Sequence, residues 1–336
     1  MPELSRSARA LATLTALTAL TLSGCTAAPP PSPPRQDGPT RTVQAANGEV
    51  EIPATPERVA VLWRPTLAAA TLLGHDVAAT MGAPGAPEQG LAPFLPPGAD
   101  GDALMLVTNS PAEDDIRLEA LANAAPDLII GVRTQSGAQA QMLPSLEAIA
   151  PTVLLEWEGT GSWRDHLHQV AAVLDASEQA EQAAAEYEAA LQQAREQITA
   201  AGVDPAATEV SLVRLQSRSE IRLETPASFP GQVVQDLGLP RPRGQRRAEG
   251  RTDFIPLGHE HLERADGDAV FVLAGSGYPD APRTFSQGVW SNLQAVRQER
   301  VYRMDHDVWG AANHHAAHRI VQDVTAALSG RTEPAV

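Results

Sequence analysis

The sequence contains a single cysteine and no lysine. One cysteine cannot form an internal disulfide, a redox pair or a multi-cysteine zinc site, so these are excluded. The absence of lysine excludes lysine-based catalysis and any phosphate-binding loop that depends on lysine. The 336 residues carry a formal net charge of −16. This charge argues against nucleic acid as a partner, because phosphate binding needs a basic surface.

The apolar run near the N-terminus, residues 10–22, is too short to cross a membrane. As a helix it would reach only about 20 Å, whereas the bilayer core is about 30 Å thick. It follows a short basic leader containing Arg6 and Arg9 and precedes small residues. This combination predicts a secretory signal peptide over residues 1–24.

The cysteine, Cys25, lies in the stretch Leu22-Ser23-Gly24-Cys25, which resembles the lipobox of bacterial lipoproteins. The resemblance implies that Cys25 is acylated, becomes the mature N-terminus and anchors the chain to the membrane outside the cytoplasm. An ordinary secretion signal with a chance cysteine is the alternative. Residues 25–41 then comprise the acylated cysteine and a proline-rich tether, which has little to bury and stays extended.

Short apolar strands alternate with helices from residue 42 onward. Asn47-Gly48, between two alternating runs, predicts a hairpin. Strands are predicted at 58–63, 76–82, 127–132 and 152–157, and helices at 66–74, 118–126 and 142–150. This alternation is typical of βα units on a parallel sheet, so residues 42–161 are predicted to form an N-terminal α/β lobe.

A long helix is predicted for residues 178–200, near the centre of the chain. Ser162 and Asp165 resemble a capping box that opens a preceding helix, and Asp175 resembles a second helix start. The α/β pattern then resumes, with strands at 209–215, 220–224, 268–275 and 301–305 and helices at 231–238 and 314–330. The predicted fold is two α/β lobes bridged by a long rigid interlobe helix. Residues 162–202 form the bridge and residues 203–336 the C-terminal lobe.

Several stretches, in this order, resemble the ferric-siderophore branch of the ABC-importer solute-binding proteins, the helical-backbone metal receptors of class III. They include GEVEIPATPERVAVLW, LEALANAAPDLII, LEAIAPTV, VVQDLGLPRP and HEHLERADGDAVFV, within residues 42–329. The resemblance implies the fold just described and a membrane-anchored protein that captures an iron(III)-siderophore in the interlobe cleft. It implies delivery to an ABC permease and its ATPase, with no permanently bound cofactor. We predict a monomer and no enzymatic activity.

Arginine and aromatic residues follow the predicted strands, and in such sheets ligands meet the carboxyl ends of strands. In the family, residues of these types at such positions line the cleft. The ligand-binding residues implied here are Trp63, Arg64, Arg133, Trp157, Arg214, Tyr278 and Trp309. Flat aromatic rings give a bulky iron complex a large contact area, and arginine bonds its carboxylate or catecholate oxygens. The alternative for each tryptophan is a place in the core.

Two further features bear on partners. The stretch PRPRGQRRAEGR, residues 240–251, is either a positive lip that attracts an anionic chelate or a solvated loop. A positive lip would favour an anionic siderophore over a neutral hydroxamate. Glu119 and Glu260 match the family's two glutamates, one per lobe, that dock onto permease arginines. The alternative for each is a glutamate that favours a helix N-terminus.

The histidines carry the main competing interpretation. His314 and His318 lie four residues apart on one predicted helix, the spacing that puts two imidazoles on one face for a metal site. Direct zinc binding, or heme held by a histidine or Tyr278, therefore stays open. Cobalamin is a further alternative ligand within the same class of transport protein. An extracellular enzyme is a more distant alternative, because the sequence has no GxSxG, HExxH, GxGxxG or phosphate-loop motif.

Overall fold

The structure is a computed structural model that describes residues 38–82, 90–99, 101, 104–108, 110, 112–217, 220–246, 252–275, 285 and 288–335. Among these residues, no helix combines the length and the apolar character needed to cross a bilayer. The predicted division into two α/β lobes and a helical bridge is confirmed. The lobe boundaries at residues 161 and 202 stay predictions.

The first lobe is built on a five-stranded parallel sheet in the order β5-β4-β3-β6-β7. Its strands are β3 (Val59–Val61), β4 (Val77–Thr80), β5 (Met105–Leu106), β6 (Leu128–Arg133) and β7 (Thr152–Glu156). Its helices are α1 (Arg64–Leu72), α2 (Leu118–Asn123) and α3 (Ala138–Glu147). Val61 and Ala60 are both buried but belong to different hydrophobic clusters, so both faces of the sheet are covered.

A hairpin of β1 (Thr40–Ala45) and β2 (Gly48–Pro53) precedes this sheet, as predicted. Its turn places Gly48 at φ +102°, which glycine adopts at little cost. The side chain of Asn47 donates to the carbonyl of Thr152 and accepts from the backbone N–H of Leu154. The turn residue therefore also attaches the hairpin to the edge strand β7.

The second lobe is built on a five-stranded mixed sheet in the order β10-β9-β8-β11-β12. Its strands are β8 (Val210–Ser217), β9 (Glu220–Glu224), β10 (Phe254–Leu257), β11 (Ala269–Ala274) and β12 (Val301–Met304). Its helices are α6 (Phe229–Asp236), α7 (Gln294–Arg297), α8 (His306–Gly310) and α9 (His314–Leu328). β9 runs antiparallel to both neighbours. Its antiparallel pairing with β8 follows from the short connection between them, since a link of residues 218–219 allows only a hairpin.

Two helices bridge the lobes, α4 (Trp163–Leu174) and α5 (Ser177–Ala200). The 24 residues of α5 give it a length of about 36 Å. Its buried stripe packs against α9, and α4 packs against α1 of the first lobe. The members of the stripe are Ala180, Ala183, Tyr187, Leu191, Ala194 and Ile198. The predicted long helix is therefore present as one continuous element.

α4 begins directly after Ser162, as predicted, but the predicted capping contact at Ser162 and the predicted start of α5 are not found. Ser162 precedes α4 but makes no capping bond, since its hydroxyl donates to the carbonyl of Gly159. Asp175 does not begin α5. It ends α4 in the left-handed region at φ 55°, where aspartate is among the better tolerated residues. The interpretation of Ser162 and Asp165 as a capping box and of Asp175 as a helix start was therefore wrong.

The largest hydrophobic cluster extends through both lobes and the bridge. It contains Ile130 of the first sheet, Phe271 of the second, and Trp163 and Tyr187 of the bridging helices. Because a shared core of this kind must be broken to separate the lobes, we expect small changes in lobe orientation rather than wide opening.

Candidate ligand-binding cleft

A cavity of about 230 Å³ lies where the carboxyl ends of strands from the two lobes meet. We call it the arginine cavity. Arg64 follows β3 of the first lobe, Arg214 lies late in β8 of the second, and His306 and Asp307 follow β12. The complete lining is Arg64, Gly90, Pro93, Phe94, Arg214, His306, Asp307 and Gly310. The two lobes therefore each contribute one of the predicted ligand-binding arginines to a single cavity.

Arg64 is the first residue of α1 and is half-buried. Its guanidinium carbon lies 5.1 Å from the centre of the Phe94 ring, a cation–π arrangement. Burial lowers the pKa of Arg64 from its ordinary value, and the carboxylate of Asp307 acts in the opposite direction. A guanidinium stays protonated in proteins. Arg64 is therefore a partly desolvated cation, for which an anionic ligand restores lost solvation.

Arg214 is held from two sides. Its Nε donates to Oε1 of Glu224 at 2.6 Å, and Nη1 lies 3.2 Å from Nε2 of His306. A methyl group on Gly310 would lie 3.2 Å from Nη1, so glycine permits the close approach of the helix to the guanidinium. Arg214 is therefore fixed in place before any ligand arrives, which lowers the entropy lost on binding.

A second cavity, of about 540 Å³, lies beside the ends of β6 and β7. We call it the acidic cavity. Its lining is Arg133, Thr134, Gln135, Glu156, Trp157, Glu158, Gly159, Gly161, Ser162, Asp165, Ala227, Gln232 and Asp253. Arg133 forms an ion pair with Glu156 and donates to the carbonyl of Ala46 at 2.8 Å. Both members of the pair are about half exposed, so the pair adds at most about 1 kcal/mol to stability.

Two of the predicted aromatic residues pack against each other. The rings of Trp63 and Trp157 lie 5.6 Å apart in an edge-to-face arrangement, and Trp157 makes a similar contact with His166 at 5.1 Å. Trp157 is largely buried, whereas Trp63 is half-buried. Trp157 lines the acidic cavity, whereas Trp63 directly precedes Arg64 but is not among the residues that line the arginine cavity.

Trp309 does not lie in the cleft. Its indole is 0% exposed, stacks on Phe271 at 5.6 Å and donates from Nε1 to Asp323 at 3.0 Å. His306, Asp307 and Gly310 of the same helix line the arginine cavity, whereas the indole of Trp309 packs into the core. The structure thus corrects the prediction for this residue. Cys25 and Tyr278 lie outside the described residues.

Glu119 and Glu260 are both exposed, one on each lobe. Glu119 lies in the first turn of α2, and Glu260 lies in the first turn of a 3-10 segment, His259–Ala265. Among the five arginines of residues 240–251, Arg241 is buried and donates to the carbonyls of Val210 and Glu224. At least this arginine stabilises the fold and is not part of a positive lip.

Sequence reasoning missed the side chains that line the arginine cavity beside the two arginines. Phe94, His306 and Asp307 line the arginine cavity but follow no motif in the sequence. Arg222 is a further candidate, because it pairs directly with Arg214 across β8 and β9. Its guanidinium lies 4.1 Å from the ring centre of Phe254, which is 37% exposed. The short link between the two strands was the signal that could have placed Arg222 beside Arg214.

His314 is buried against the bridge rather than held open for a metal. Its ring lies 4.6 Å from that of Trp163. Burial, reinforced by His318, Arg164 and other nearby bases, lowers the pKa of His314 to about 3. Within the described residues, no group of three or more metal-ligating side chains comes together. His314 therefore packs as a neutral ring in the core.

We expect two buried histidines to make the fold sensitive to acid. Burial lowers the pKa values of His166 and His314 to about 3, so the unfolded chain takes up their protons first as the pH falls below about 6.5. Each of these two histidines should lower the free energy of unfolding by about 1.4 kcal/mol for every pH unit by which the pH falls between about 6.5 and 3. Urea unfolding at pH 7 and pH 5 measures the loss.

In the His314→Gln variant, the loss of unfolding free energy between pH 7 and pH 5 should be smaller than in the wild type, because one of the two buried histidines no longer contributes to it. His261→Gln serves as the matched control, since that ring is 60% exposed. If the difference in unfolding free energy between the two pH values is the same in all three proteins, His314 is not a buried neutral base.

Known proteins resemble the chain over most of its length. The profile of the family described as periplasmic binding protein matches residues 92–308. The probable siderophore-binding lipoprotein YfiY of Bacillus subtilis is 29% identical over 298 residues, covering 85% of this chain and 86% of its own. The Fe(3+)-citrate-binding protein YfmC of Bacillus subtilis is 24% identical, covering 57% of this chain and 58% of its own.

Solved structures share the fold. Staphylococcus aureus SirA, crystallised with staphyloferrin B, superposes with a TM-score of 0.69 at 21% identity, covering 86% of this chain and 98% of its own. A FhuD fold-family periplasmic binding protein from Bacillus subtilis superposes with a TM-score of 0.70 at 22% identity, covering 85% of this chain and 99% of its own. The two α/β lobes and their helical bridge are therefore the FhuD-type architecture.

Proposed function

The chain belongs to the periplasmic binding protein family, and from this premise we propose that it captures an anionic ferric siderophore for an ABC importer. The family consists of substrate-binding transport proteins that act outside the cytoplasm, which implies a permease and its ATPase as partners. The ferric siderophore is the transported ligand and not a cofactor. The chelator supplies the ligands of iron, so the protein needs only to bind the outer surface of the complex.

The observation that carries this proposal is the meeting of Arg64 and Arg214 in one cavity between the lobes. Two partly buried guanidinium groups that line one restricted cavity favour a ligand with negative oxygens. Relatives are named for ferric enterobactin, Fe(3+)-citrate and iron(3+)-hydroxamate. Catecholate and citrate complexes carry negative charge, whereas ferric tris-hydroxamates are neutral. The arginine pair therefore favours the first two chemical classes.

Binding is tested on the detergent-solubilised full chain by native mass spectrometry and by quenching of tryptophan fluorescence. The panel is ferric enterobactin, ferric citrate, a ferric tris-hydroxamate, heme and cobalamin. We expect reversible, stoichiometric binding of the anionic ferric complexes and weaker binding of the hydroxamate. Preferential binding of heme or cobalamin would overturn the proposal, and conversion of a chelate to a product would favour an enzyme.

We also propose that acylated Cys25 anchors the protein, which acts as a monomer, and that Glu119 and Glu260 dock onto the permease. The name of the YfiY lipoprotein supports the anchor. The exposure of both glutamates, one per lobe, supports the docking. Two carboxylates at a fixed separation would orient the cleft over the transport pathway.

Replacing the cysteine is expected to release the protein from the membrane. Because Cys25→Ser removes the thiol to which the acyl chain is attached, the variant should appear in the soluble fraction, uncleaved or wrongly cleaved. Detergent partitioning measures this, and Ser23→Ala is a control that leaves the thiol in place. Membrane retention equal to that of the wild type would contradict lipid anchoring.

A further inference from the structure

We propose that His306 positions Arg214 and couples the binding of an anionic ligand in the arginine cavity to the uptake of one proton. This inference rests on the proposed function, since it concerns the same cavity. His306 is 27% exposed at its side chain and lines the cavity directly. It makes two polar contacts, and together these determine which ring nitrogen carries the hydrogen.

The guanidinium of Arg214 has only donors, so the ring nitrogen that faces it must accept. Nη1 of Arg214 lies 3.2 Å from Nε2 of His306. Nδ1 of the same ring lies 3.1 Å from Oδ1 of Asp307, a carboxylate oxygen that can only accept. These two contacts together assign the hydrogen of the ring to Nδ1 and its lone pair to Nε2. The ring holds one nitrogen of Arg214 in place.

The surroundings of His306 carry charges of both signs. Asp307 lies beside Nδ1, and Arg214 lies beside Nε2 with Glu224 bonded behind it. Arg64 faces the same cavity from α1. At the end of β11, the backbone of Gly275 approaches the ring, where a methyl group would lie 3.7 Å from it.

One further carboxylate nearby, Asp305, has a different role. It accepts from the backbone N–H groups of Asp307 and Val308 and so caps α8. Because Nδ1 of His306 already carries the hydrogen of the ring, an added proton would go to Nε2. This proton would be taken from solvent.

A proton on Nε2 of His306 would turn this nitrogen into a donor, which would then face the N–H donor of Nη1 of Arg214. In the empty cavity this contact is repulsive and opposes protonation. An anionic oxygen between Arg64 and Arg214 changes the balance, because the imidazolium and the guanidinium can then both donate to it. Ligand binding therefore favours the protonated ring, and by linkage a lower pH favours ligand binding. The coupling is lost if the ring is replaced by a group that accepts but does not titrate.

His306→Gln is such a replacement, since its amide oxygen can still accept from Arg214. For the wild-type full chain, we expect the affinity for ferric enterobactin to rise about fivefold from pH 8 to pH 6.5, within the limit of about tenfold per pH unit for one proton. The variant should show a smaller rise in affinity than the wild type over this pH range. Calorimetry in buffers of different ionisation enthalpy should detect proton uptake by the wild type that the variant lacks.

His168→Gln is the control, because this exposed histidine on α4 does not line the arginine cavity. The ionisation of the chelate is common to all three proteins and cancels in the comparison. Equal pH profiles and equal proton uptake for wild type and His306→Gln would overturn the inference while leaving the proposed function intact. Failure of the wild type to bind the complex at any pH would overturn both.

The ligand-free protein provides an independent test. Nitrogen-15 NMR of the histidine rings, with His306 assigned by its loss in the variant, reports which nitrogen carries the hydrogen. We expect the Nδ1–H form at pH 8. An Nε2–H form would overturn the inference without reference to any ligand.

Discussion

Replacing both Arg64 and Arg214 with alanine is expected to weaken the binding of ferric enterobactin at least about tenfold. Each charge-assisted hydrogen bond contributes about 1.5–3 kcal/mol, so the loss reaches about hundredfold if each guanidinium contributes near the lower value. The two residues enter the same cavity from different lobes, and one change alone should leave the other guanidinium in contact with the ligand. Fluorescence titration at constant salt measures the dissociation constants.

The stability of this variant needs its own control, because Arg214 also neutralises a buried carboxylate. The side chain of Glu224 is only 6% exposed and pairs with Arg214. Removal of one partner of a buried pair costs about 3–5 kcal/mol, so Arg214→Ala alone should lower the melting temperature. The informative protein therefore adds Glu224→Gln, which removes the stranded charge. Arg64→Ala alone should melt close to the wild type, since Arg64 has no such partner in the described structure.

Arg297→Ala provides a matched control for charge, because that exposed arginine lies outside the arginine cavity. Its affinity for the ferric complex should equal that of the wild type. If the folded triple variant, with Arg64, Arg214 and Glu224 replaced, binds as tightly as the wild type, the arginine cavity is not the ligand site.

Replacing Trp163 with alanine is expected to lower the free energy of unfolding by about 3–5 kcal/mol. Trp163 is 2% exposed and makes edge-to-face contacts with Tyr187, Phe229 and His314. These three residues lie on α5, α6 and α9, so one indole joins the bridge to the second lobe. Its Nε1 also donates to Gln232 at 3.1 Å. The truncation would leave a cavity and remove one of the two donors to the Gln232 oxygen, which would still accept from Arg164.

Urea unfolding measures this effect, and Trp163→Phe is the matched variant. Phenylalanine keeps most of the apolar contact but cannot donate to Gln232, so its cost should be clearly smaller than that of alanine. A cost below about 1 kcal/mol for alanine would contradict a central role of Trp163 in the shared core.

The alternation of strands and helices was readable from the chain because it depends on local periodicity. The buried runs that became β6 and β11, the apolar stripe of α5 and the Asn47-Gly48 turn each carry their own signal. The antiparallel direction of β9 relative to β8 could also be predicted from the sequence, since only residues 218–219 separate the two strands. The false capping box at Ser162 and the false helix start at Asp175 had a different cause. Both are good capping residues whose backbone takes another conformation under the packing of their neighbours.

The sequence predicted the position of some site residues correctly and of others wrongly, and the reason is again whether the signal is local. Counting residues to the end of a strand predicted that Arg64 and Arg214 lie at the edge where ligands bind. The same rule selected Trp309, but α8 begins before it and turns the indole into the core. The rule predicts which edge of the sheet a residue lies at, but not which side of the following helix its side chain occupies. It therefore could not distinguish Trp309 from Arg64 and Arg214.

The sequence by itself determined the two α/β lobes, the long bridging helix and the acidic, lysine-free composition, since each follows from local patterns or from counts. Only the tertiary structure decided that Arg64 and Arg214 share a cavity and that His306 accepts from Arg214. It also decided that Arg133 is paired with Glu156 in a different cavity. These relations join residues that are distant along the chain, and they depend on how two separately patterned lobes pack around one core.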